Sequence, residues 1–380
     1  MESVELTAVN HVDPEFWRGK RVLLTGHTGF KGGWAALWLS RMGAEITGLA
    51  LAPDAEPNLY GLAAVEQDLR SILCDVRTDR AVAQAVEDCK PQIVLHLAAQ
   101  SLVRRAAREP IETVATNVMG TAHLLNALRA VDELEAVLVV TTDKVYRNDD
   151  RQEAFSEEDG LGGHEPYAAS KAAADILTRA FGDSYFEPRG VPVATARGGN
   201  VLGGGDFAED RLVPDIVRAI LARTAVVLRN PQATRPWQHV LDCLAGYFCY
   251  LQALAMKRDV PRALNFAPVQ PSRQTVEQLA AAILAAMGEG AAWIPSRESG
   301  PRESRFLSLD ARLAHRALSW ADRYDGGQII GLTAAWYREF SRDGDMRAFS
   351  LAQVDDFMAD ASSNPPRHRR DTVDPAAISR

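Results

Sequence analysis

Tyr167 and Lys171 stand four residues apart in the run Tyr-Ala-Ala-Ser-Lys, so a helix carrying them shows both on one face. An ammonium beside a phenol favours the phenolate, which suits the pair to taking a proton from an alcohol during its oxidation. Twenty-three residues before Tyr167 is Lys144, in the run Thr141-Thr142-Asp143-Lys144-Val145-Tyr146. That run follows residues 136–140, Ala-Val-Leu-Val-Val, which read as a buried strand. Asp143 and Lys144 therefore emerge at a strand's C-terminal tip, where open parallel sheets bind ligands. One site thus receives a Tyr/Lys pair for redox chemistry and an Asp/Lys pair for further acid–base work.

A third piece lies nearer the N-terminus. Residues 21–25, Arg-Val-Leu-Leu-Thr, are strand-like and lead into Gly26-His27-Thr28-Gly29-Phe30-Lys31-Gly32, then an apolar helical pattern from Trp34 to Met42. Strand, glycine turn and helix in that order are the setting of a dinucleotide fingerprint. Gly26 permits the tight turn, Gly29 lets the backbone approach a pyrophosphate, and Gly32 allows close helix packing, with the helix N-terminus facing the phosphates. The spacing here is G-x-x-G-x-x-G, not G-x-G-x-x-G. An acidic residue roughly 20 positions on usually holds the ribose diol of NAD. Asp54 is the candidate, with a proline beside it. No arginine stands there to favour a 2′-phosphate, although Lys31 keeps NADP open. NAD is the expected cofactor.

Bulk properties exclude several classes. With 380 residues, 47% of them hydrophobic, the chain can build one large α/β domain or two interlocked ones. A net charge of −8 gives no electrostatic footprint for nucleic acid or an anionic membrane. No apolar run reaches the roughly 20 residues of a bilayer span. The first residues lack a secretory signal's basic and apolar regions, so a cytoplasmic location is expected. Cys74, Cys89, Cys243 and Cys249 form no metal-ligating cluster and read as buried free thiols. His27, His96 and His164 read as local hydrogen-bonders, and Trp34, Leu37 and Trp38 as core. No metal site and no internal repeat is visible.

Strand-like and helix-like segments alternate up to about residue 200, as a parallel sheet with helices on both faces requires. The expected fold is a Rossmann-type doubly wound α/β domain with a smaller C-terminal substrate-binding lobe. Its nucleotide-binding part spans 14–200, with 236–268 returning to it. The lobe takes 201–235 and 269–345, and a polar, proline-bearing tail from 357 to 380 is expected to be disordered. Two long helices are expected, one from Pro110 to about residue 129 and one from Tyr167 to about residue 185.

The glycine turn, Asp75-Val76, Leu97-Ala98-Ala99, Asn117 and Tyr167/Lys171 together resemble the extended short-chain dehydrogenase/reductase family of nucleotide-sugar enzymes. Within it, Gly26–Gly32, Gly162-Gly-His-Glu-Pro-Tyr167, Arg197-Gly-Gly-Asn-Val201 and the run 229–240 resemble the 4,6-dehydratases of CDP-glucose. Where the dTDP-glucose branch carries Thr-Asp-Glu, this chain has Thr142-Asp143-Lys144. The similarity runs from about residue 14 to 340.

The resemblance implies a nucleotide-sugar substrate that is oxidised at C4, loses water across C5 and C6, and is reduced again within one turnover. It gives Tyr167 the O4 proton, Thr142 a hydrogen bond to O4, Asp143 the proton for the departing 6-hydroxyl, and Lys171 the nicotinamide ribose. Lys144 is then the expected C5 base, its pKa lowered by burial and by Lys171; the alternative is that it stays protonated and stabilises the enolate oxygen while water or another group takes the proton. Thr28, Phe30, Lys31, Asp75, Val76 and Leu97-Ala98-Ala99 fall to the cofactor, and Gln100, Asn200, Arg211, Arg235, His239 and Arg302 to the substrate. A homodimer through a four-helix bundle is also implied. A UDP-sugar 4-epimerase, a dehydratase of a dTDP- or GDP-sugar, and a non-catalytic relative remain the alternatives, although the last commonly lacks the tyrosine.

Overall fold

The computed structural model describes residues 11–149, 151–268, 274–288, 293–296 and 306–363. Seven strands form one parallel sheet: β1 (Arg21–Thr25), β2 (Glu45–Ala50), β3 (Arg70–Leu73), β4 (Ile93–His96), β5 (Ala136–Thr142), β6 (Val193–Gly198) and β7 (Ala263–Phe266). Their order is β7-β6-β5-β4-β1-β2-β3. The order reverses between β1 and β4, which opens the ligand crevice of a doubly wound sheet above those two tips.

Side-chain alternation builds a core on each face. Leu24, Leu95, Leu138 and Ala196 point into one cluster, Leu23, Val94, Val137 and Val193 into the other. All seven residues of β5 are buried, as a central strand covered on both faces should be. The first face receives α1 (Phe30–Arg41), whose Trp34, Leu37 and Trp38 are buried. The second receives α2 (Asp79–Cys89) and α3 (Gly120–Leu128). Cys243 and Cys249 are buried and Cys74 and Cys89 half-buried, all four as free thiols.

The expected long helix from Pro110 is interrupted. Pro110–Val114 is α-helical, Ala115–Met119 forms a π turn, and α3 follows. The π turn carries Asn117 inward, a geometry that such bulges often supply at functional sites. The other long helix, α4 (Pro166–Phe181), has Pro166 in its first turn and Glu165 as N-cap, the carboxylate accepting from the amides of Tyr167 (2.8 Å) and Ala168 (2.7 Å). It too ends in a π turn, Gly182–Phe186.

After β6 the chain leaves the sheet. Val201–Leu202 pairs in parallel with Gln238–His239, and Val226–Leu228 with Trp293–Pro295. Helix α5 (Val240–Ala255) then packs on α1 and leads to β7 at the sheet's edge. The expected tail from 357 begins inside structure instead: α6 runs Met346–Ser363, and Phe357 is buried against Trp38, ring centroids 5.2 Å apart. Arg347 pairs with Asp68 at 2.7 Å and Arg41 with Asp355, so this helix is anchored on α1. Polar composition misled the reading because only one residue in several faces the core. Residues 364–380 lie outside the described ones. No helix among the described residues is long and apolar enough to cross a membrane.

Candidate active site

The turn between β1 and α1 is shaped for close approach. Gly26 has φ +78°, and a Cβ there would lie 2.8 Å from the Ala98 amide nitrogen. A Cβ on Gly32 would lie 2.0 Å from the Gly26 carbonyl oxygen. Gly29 is the N-cap of α1 and no side chain caps that end, so its leading amides can receive a phosphate. Thr28 closes the turn onto β2 by donating to the Leu51 carbonyl at 2.9 Å. Leu97 and Ala98 donate their amides to the Thr25 hydroxyl, both at 3.1 Å, which sets the segment after β4 against the glycines. These residues fit a dinucleotide pyrophosphate.

The remaining cofactor candidates fall unevenly. Val76 is buried and its carbonyl meets the His123 ring at 3.1 Å, while Asp75 is held below the ordinary carboxyl range mainly by its hydrogen-bonded Arg77. Asp54 is exposed and ion-paired with Arg105 at 3.2 Å. Phe30 starts α1 beside Gly203. Lys31 points away from the β2 tip, its ammonium 5.8 Å from the centroid of the Tyr247 ring. That placement removes its case as a 2′-phosphate cation.

The acid–base groups converge at the tip of β5. Asp143 is 1% exposed; its Oδ1 accepts from the Thr142 hydroxyl (2.8 Å) and the Lys144 ammonium (3.0 Å). Its Oδ2 is buried with no hydrogen-bond partner. Tyr167 is buried in the first turn of α4. Burial raises its pKa; Lys144 and the Thr142 hydroxyl act to lower it. Lys171 is instead turned to the Val140 carbonyl at 2.7 Å, and burial depresses its pKa to about 8. Lys144 is the cation that acts most on the tyrosine, with Arg211 adding to it. The expectation of a depressed Lys144 is overturned as well. Burial does push it down, but Asp143 and Tyr167 outweigh burial and raise it, so the resting pair is an ion pair.

Among the substrate candidates, Arg211 joins two parts of the site, donating to Asp206 (3.1 Å) and to the Ser101 hydroxyl (3.0 Å), and its charge reaches Tyr167. Arg235 is buried, donates to the Thr234 carbonyl at 2.8 Å, and is felt by Lys144. The Asn200 carbonyl accepts from the Gln238 amide at 3.1 Å. Two candidates are turned elsewhere. Gln100 uses its amide group on Thr113 (2.8 Å) and Leu102, pinning the loop after β4. His239 is fully buried, caps α5 through Nδ1 and packs on Tyr324, with its Nε2 left unpartnered. Arg302 lies outside the described residues. His27, His96 and His164 are local hydrogen-bonders, to Ser71, to Thr25 and Thr121, and to the Asn148 carbonyl.

Asn117, marked by the resemblance without a role, clamps the Gln100 backbone (2.8 and 3.0 Å) and Ser170 (2.8 Å), tying the loop after β4 to α4. Sequence reasoning missed Glu165, which caps α4 next to Tyr167 and feels the Lys144 charge. Its position two residues before the tyrosine was the signal. It assigns no role to Gln238, inside the run 229–240, or to Tyr247; both are buried with polar atoms unpartnered, and nothing near Tyr247 in the sequence marks it.

Comparison with known proteins adds the following. The family model described as GDP-mannose 4,6 dehydratase matches residues 23–332. A CDP-glucose 4,6-dehydratase of Salmonella typhimurium is 39% identical over 354 residues, covering 92% of this chain and 99% of that protein. A dTDP-glucose 4,6-dehydratase of Xanthomonas campestris pv. campestris is 30% identical over 340 residues, covering 83% and 92%. The crystal structure of a UDP-glucose 4-epimerase from Stenotrophomonas maltophila, with bound NAD and formylated UDP-arabinopyranose, superposes with TM-score 0.73. At 22% identity, covering 85% of this chain and 99% of that one, it supports the fold alone.

The buried histidines give the protein a pH dependence. Burial lowers His27 to about 4, and His96 and His239 to about 3, from an ordinary 6.5. Between those values and 6.5 the unfolded chain binds more protons, so stability falls as pH drops through that window. Asp242, raised to about 7 by burial, acts in the opposite sense above 3.8, as do Glu157, Glu165 and Asp215, also raised mainly by burial, while His315 is lowered with the other histidines. The melting temperature should therefore fall between about pH 7 and about pH 5, and His239→Asn, which can still cap α5, should flatten the slope. An unchanged slope in that variant would contradict a buried neutral His239.

Proposed function

The chain belongs to the GDP-mannose 4,6-dehydratase family, and from that premise we propose that it converts CDP-glucose to CDP-4-dehydro-6-deoxyglucose and water, with NAD as a recycled cofactor. The observation that carries this reading is the ion pair of buried Asp143 with the half-buried Lys144 beside Tyr167. Oxidising an alcohol needs the tyrosine alone; removing water needs a further base and a further acid at the neighbouring carbons. The 39% identity to a CDP-glucose enzyme, against 30% to a dTDP-glucose one, favours the cytidine nucleotide.

NAD, when bound, supplies an electron-pair acceptor at C4 and returns the pair at C6. Gly26, Thr28, Gly29, Phe30 and Gly32 would cradle its pyrophosphate, Asp75, Val76 and Leu97-Ala98-Ala99 its adenosine side, Asp54 the ribose diol, and Lys171 the nicotinamide ribose. Tyr167 takes the O4 proton, with Thr142 beside it to hold that oxygen. The resting ion pair is one proton transfer from the reactive arrangement. When the sugar excludes water, moving a proton from Lys144 to Asp143 gives a neutral amine and a neutral acid, the forms that burial favours. The amine removes the C5 proton that the C4 ketone has acidified. The acid gives its proton to the 6-hydroxyl as the C6–O bond breaks, a C5=C6 double bond forms, and water leaves. Lys144 has gained a proton and Asp143 has lost one; when C6 is reduced, Lys144 gives that proton back to C5, and the O4 proton held by Tyr167 returns the lysine to its charged form through solvent.

Arg211 and Arg235 suit the diphosphate, Arg235 through a guanidinium fork on its two-oxygen edges. Asn200 would hold the sugar nucleotide. The segments 201–235 and 269–345 would enclose the substrate, in a protein working in the cytoplasm. The helices around 110–128 and α4 also bear exposed apolar side chains, Ile111 at 81% and Ile176 at 56%, with Val114 and Met119 nearby. Such a stripe on two adjacent helices suits an isologous dimer closed by a four-helix bundle.

Incubation with CDP-, dTDP-, GDP- and UDP-hexoses followed by mass analysis should give loss of one water, fastest with CDP-glucose and without stoichiometric accumulation of reduced cofactor. Preference for another base, or steady accumulation matching product, would reject the assignment. Lys144→Ala should still oxidise C4 in a single turnover, read from the near-ultraviolet absorbance of the cofactor. It should lose C5 deuterium exchange and dehydration by roughly 10²–10⁴-fold, the usual worth of a positioned acid–base group. Rapid C5 exchange in that variant would take the base role from Lys144. Light scattering should report a dimer, and Ile111→Glu with Ile176→Glu a monomer; a dimer surviving both substitutions would move the interface elsewhere.

A further inference from the structure

Tyr247 is fully buried on α5, below the strand tips that carry Thr142 and Asp143. Its ring is braced edge-on by Phe266, with centroids 5.2 Å apart and planes at 88°. The ammonium of Lys31, from the first turn of α1, lies 5.8 Å from the ring centroid. The hydroxyl is aimed at the tip of β6: a Cβ built on Gly198 would sit 2.4 Å from it. Gly198 is the register partner of Thr142, so the hydroxyl reaches the place where β5, β6 and the glycine turn meet.

That oxygen has no oxygen or nitrogen partner. Its polar neighbour is the Cys243 thiol, a weak hydrogen-bond partner. Burial raises the phenol well above its ordinary pKa, so it stays a neutral O–H that can donate or accept. A buried hydroxyl with only a weak partner is destabilising, and phenylalanine would fill the same space without that penalty. The hydroxyl therefore needs a ligand-side explanation. Its neighbours point to the cofactor. Lys31, 5.8 Å from the ring centroid, follows the glycine turn directly, and its charge is felt by Lys171. Both are cofactor candidates, and Tyr167 and Asp143, on the sugar side, also act on the hydroxyl.

We propose that Tyr247 is a further cofactor-binding residue, whose hydroxyl hydrogen-bonds the carboxamide-bearing ring of NAD from the floor formed by Gly198, Lys31 and α5. This rests on the reading that the glycine turn binds NAD. The bond fixes which face of that ring meets the sugar carbon above Tyr167. Phenylalanine at 247 would keep the ring packing and the cation above it, and lose only the anchor.

The test titrates wild type and Tyr247→Phe with NAD⁺ and with ADP-ribose by calorimetry, and melts both proteins without ligand. ADP-ribose carries the pyrophosphate and both sugars but lacks the nicotinamide. The expected result is a variant that melts at or above the wild-type temperature and binds ADP-ribose as wild type does. It should bind NAD⁺ about three- to tenfold more weakly, the worth of one hydrogen bond. Unchanged NAD⁺ affinity would overturn the proposal, leaving the hydroxyl a structural feature. Equal weakening for both ligands, or a variant too unstable to titrate, would overturn it in favour of a packing role. Weakened CDP-glucose binding with NAD⁺ affinity intact would overturn it by moving the hydroxyl to the sugar. A wild-type protein that binds neither dinucleotide ligand would refute the NAD reading itself, and this inference with it.

Discussion

The buried ion pair between Asp175 and Arg197 holds the chemistry in place. Asp175 lies on α4 one turn beyond Lys171, and Arg197 on β6; their side chains are 4% and 5% exposed and meet at 2.8 Å. The same carboxylate accepts from the Thr141 hydroxyl of β5 at 3.0 Å, and the same guanidinium donates to the Tyr146 hydroxyl at 2.9 Å. Tyr146 in turn donates to Asn265 of β7 at 2.6 Å. One connected network therefore fixes α4 against the three strands whose tips form the site. A buried pair is often no better than apolar residues for stability, but it tolerates only one arrangement. Here that arrangement sets the height of Tyr167 and Lys171 relative to Asp143 and Lys144. Asp175 also gives Lys171 a negative neighbour in a place where burial alone would strip its charge.

Local chemistry was legible in the sequence, and charge balance was not. The glycine turn, the strand tip at Thr142 and the Tyr167/Lys171 spacing depend on near neighbours in the chain, so the strands and the start of α4 could be read within a residue or two, whereas its end gives way to the π turn Gly182–Phe186. The strand order follows from the βα alternation and needs no long-range information beyond handedness. What failed needed knowledge of who faces whom. Lys171 was paired with Tyr167 by helical spacing, yet it turns to the Val140 carbonyl, and the adjacent Lys144 supplies the field instead. His239 and Gln100 carry suitable functional groups but spend them on a helix cap and a loop. The end of α6 was lost because a helix that packs one sparse face on α1 looks polar along its sequence.

Carboxylates hold the cations around the crevice. Asp210 accepts from Arg104 at 3.3 Å and from Arg229 at 2.5 Å, Asp206 from Arg211 at 3.1 Å, and Asp143 from Lys144 at 3.0 Å. In each case the acid is the more buried member or equally so. A doubly charged diphosphate can then enter a site whose cations are already oriented and partly desolvated, without a bare positive surface on a protein of net charge −8. The arrangement also limits non-specific anion binding, because any ligand must compete with a tethered carboxylate.

The same logic bears on the unpartnered polar atoms beside this crevice. Asp143 Oδ2, the Tyr247 hydroxyl, His239 Nε2 and both amide atoms of Gln238 are buried there without oxygen or nitrogen partners, while others, such as the Trp17 and Trp38 indole nitrogens, lie in the core. Each lowers the stability of the resting fold and each is free to strengthen a complex, because a group already desolvated loses little more when a ligand reaches it. The aromatic core can offset that cost: Trp17, Trp38, Phe248 and Phe357 pack edge to face between α1, α5 and α6. Stability held there, away from the strand tips, lets the tips remain unsatisfied. A site that completed its own hydrogen bonds would be more stable and less able to bind.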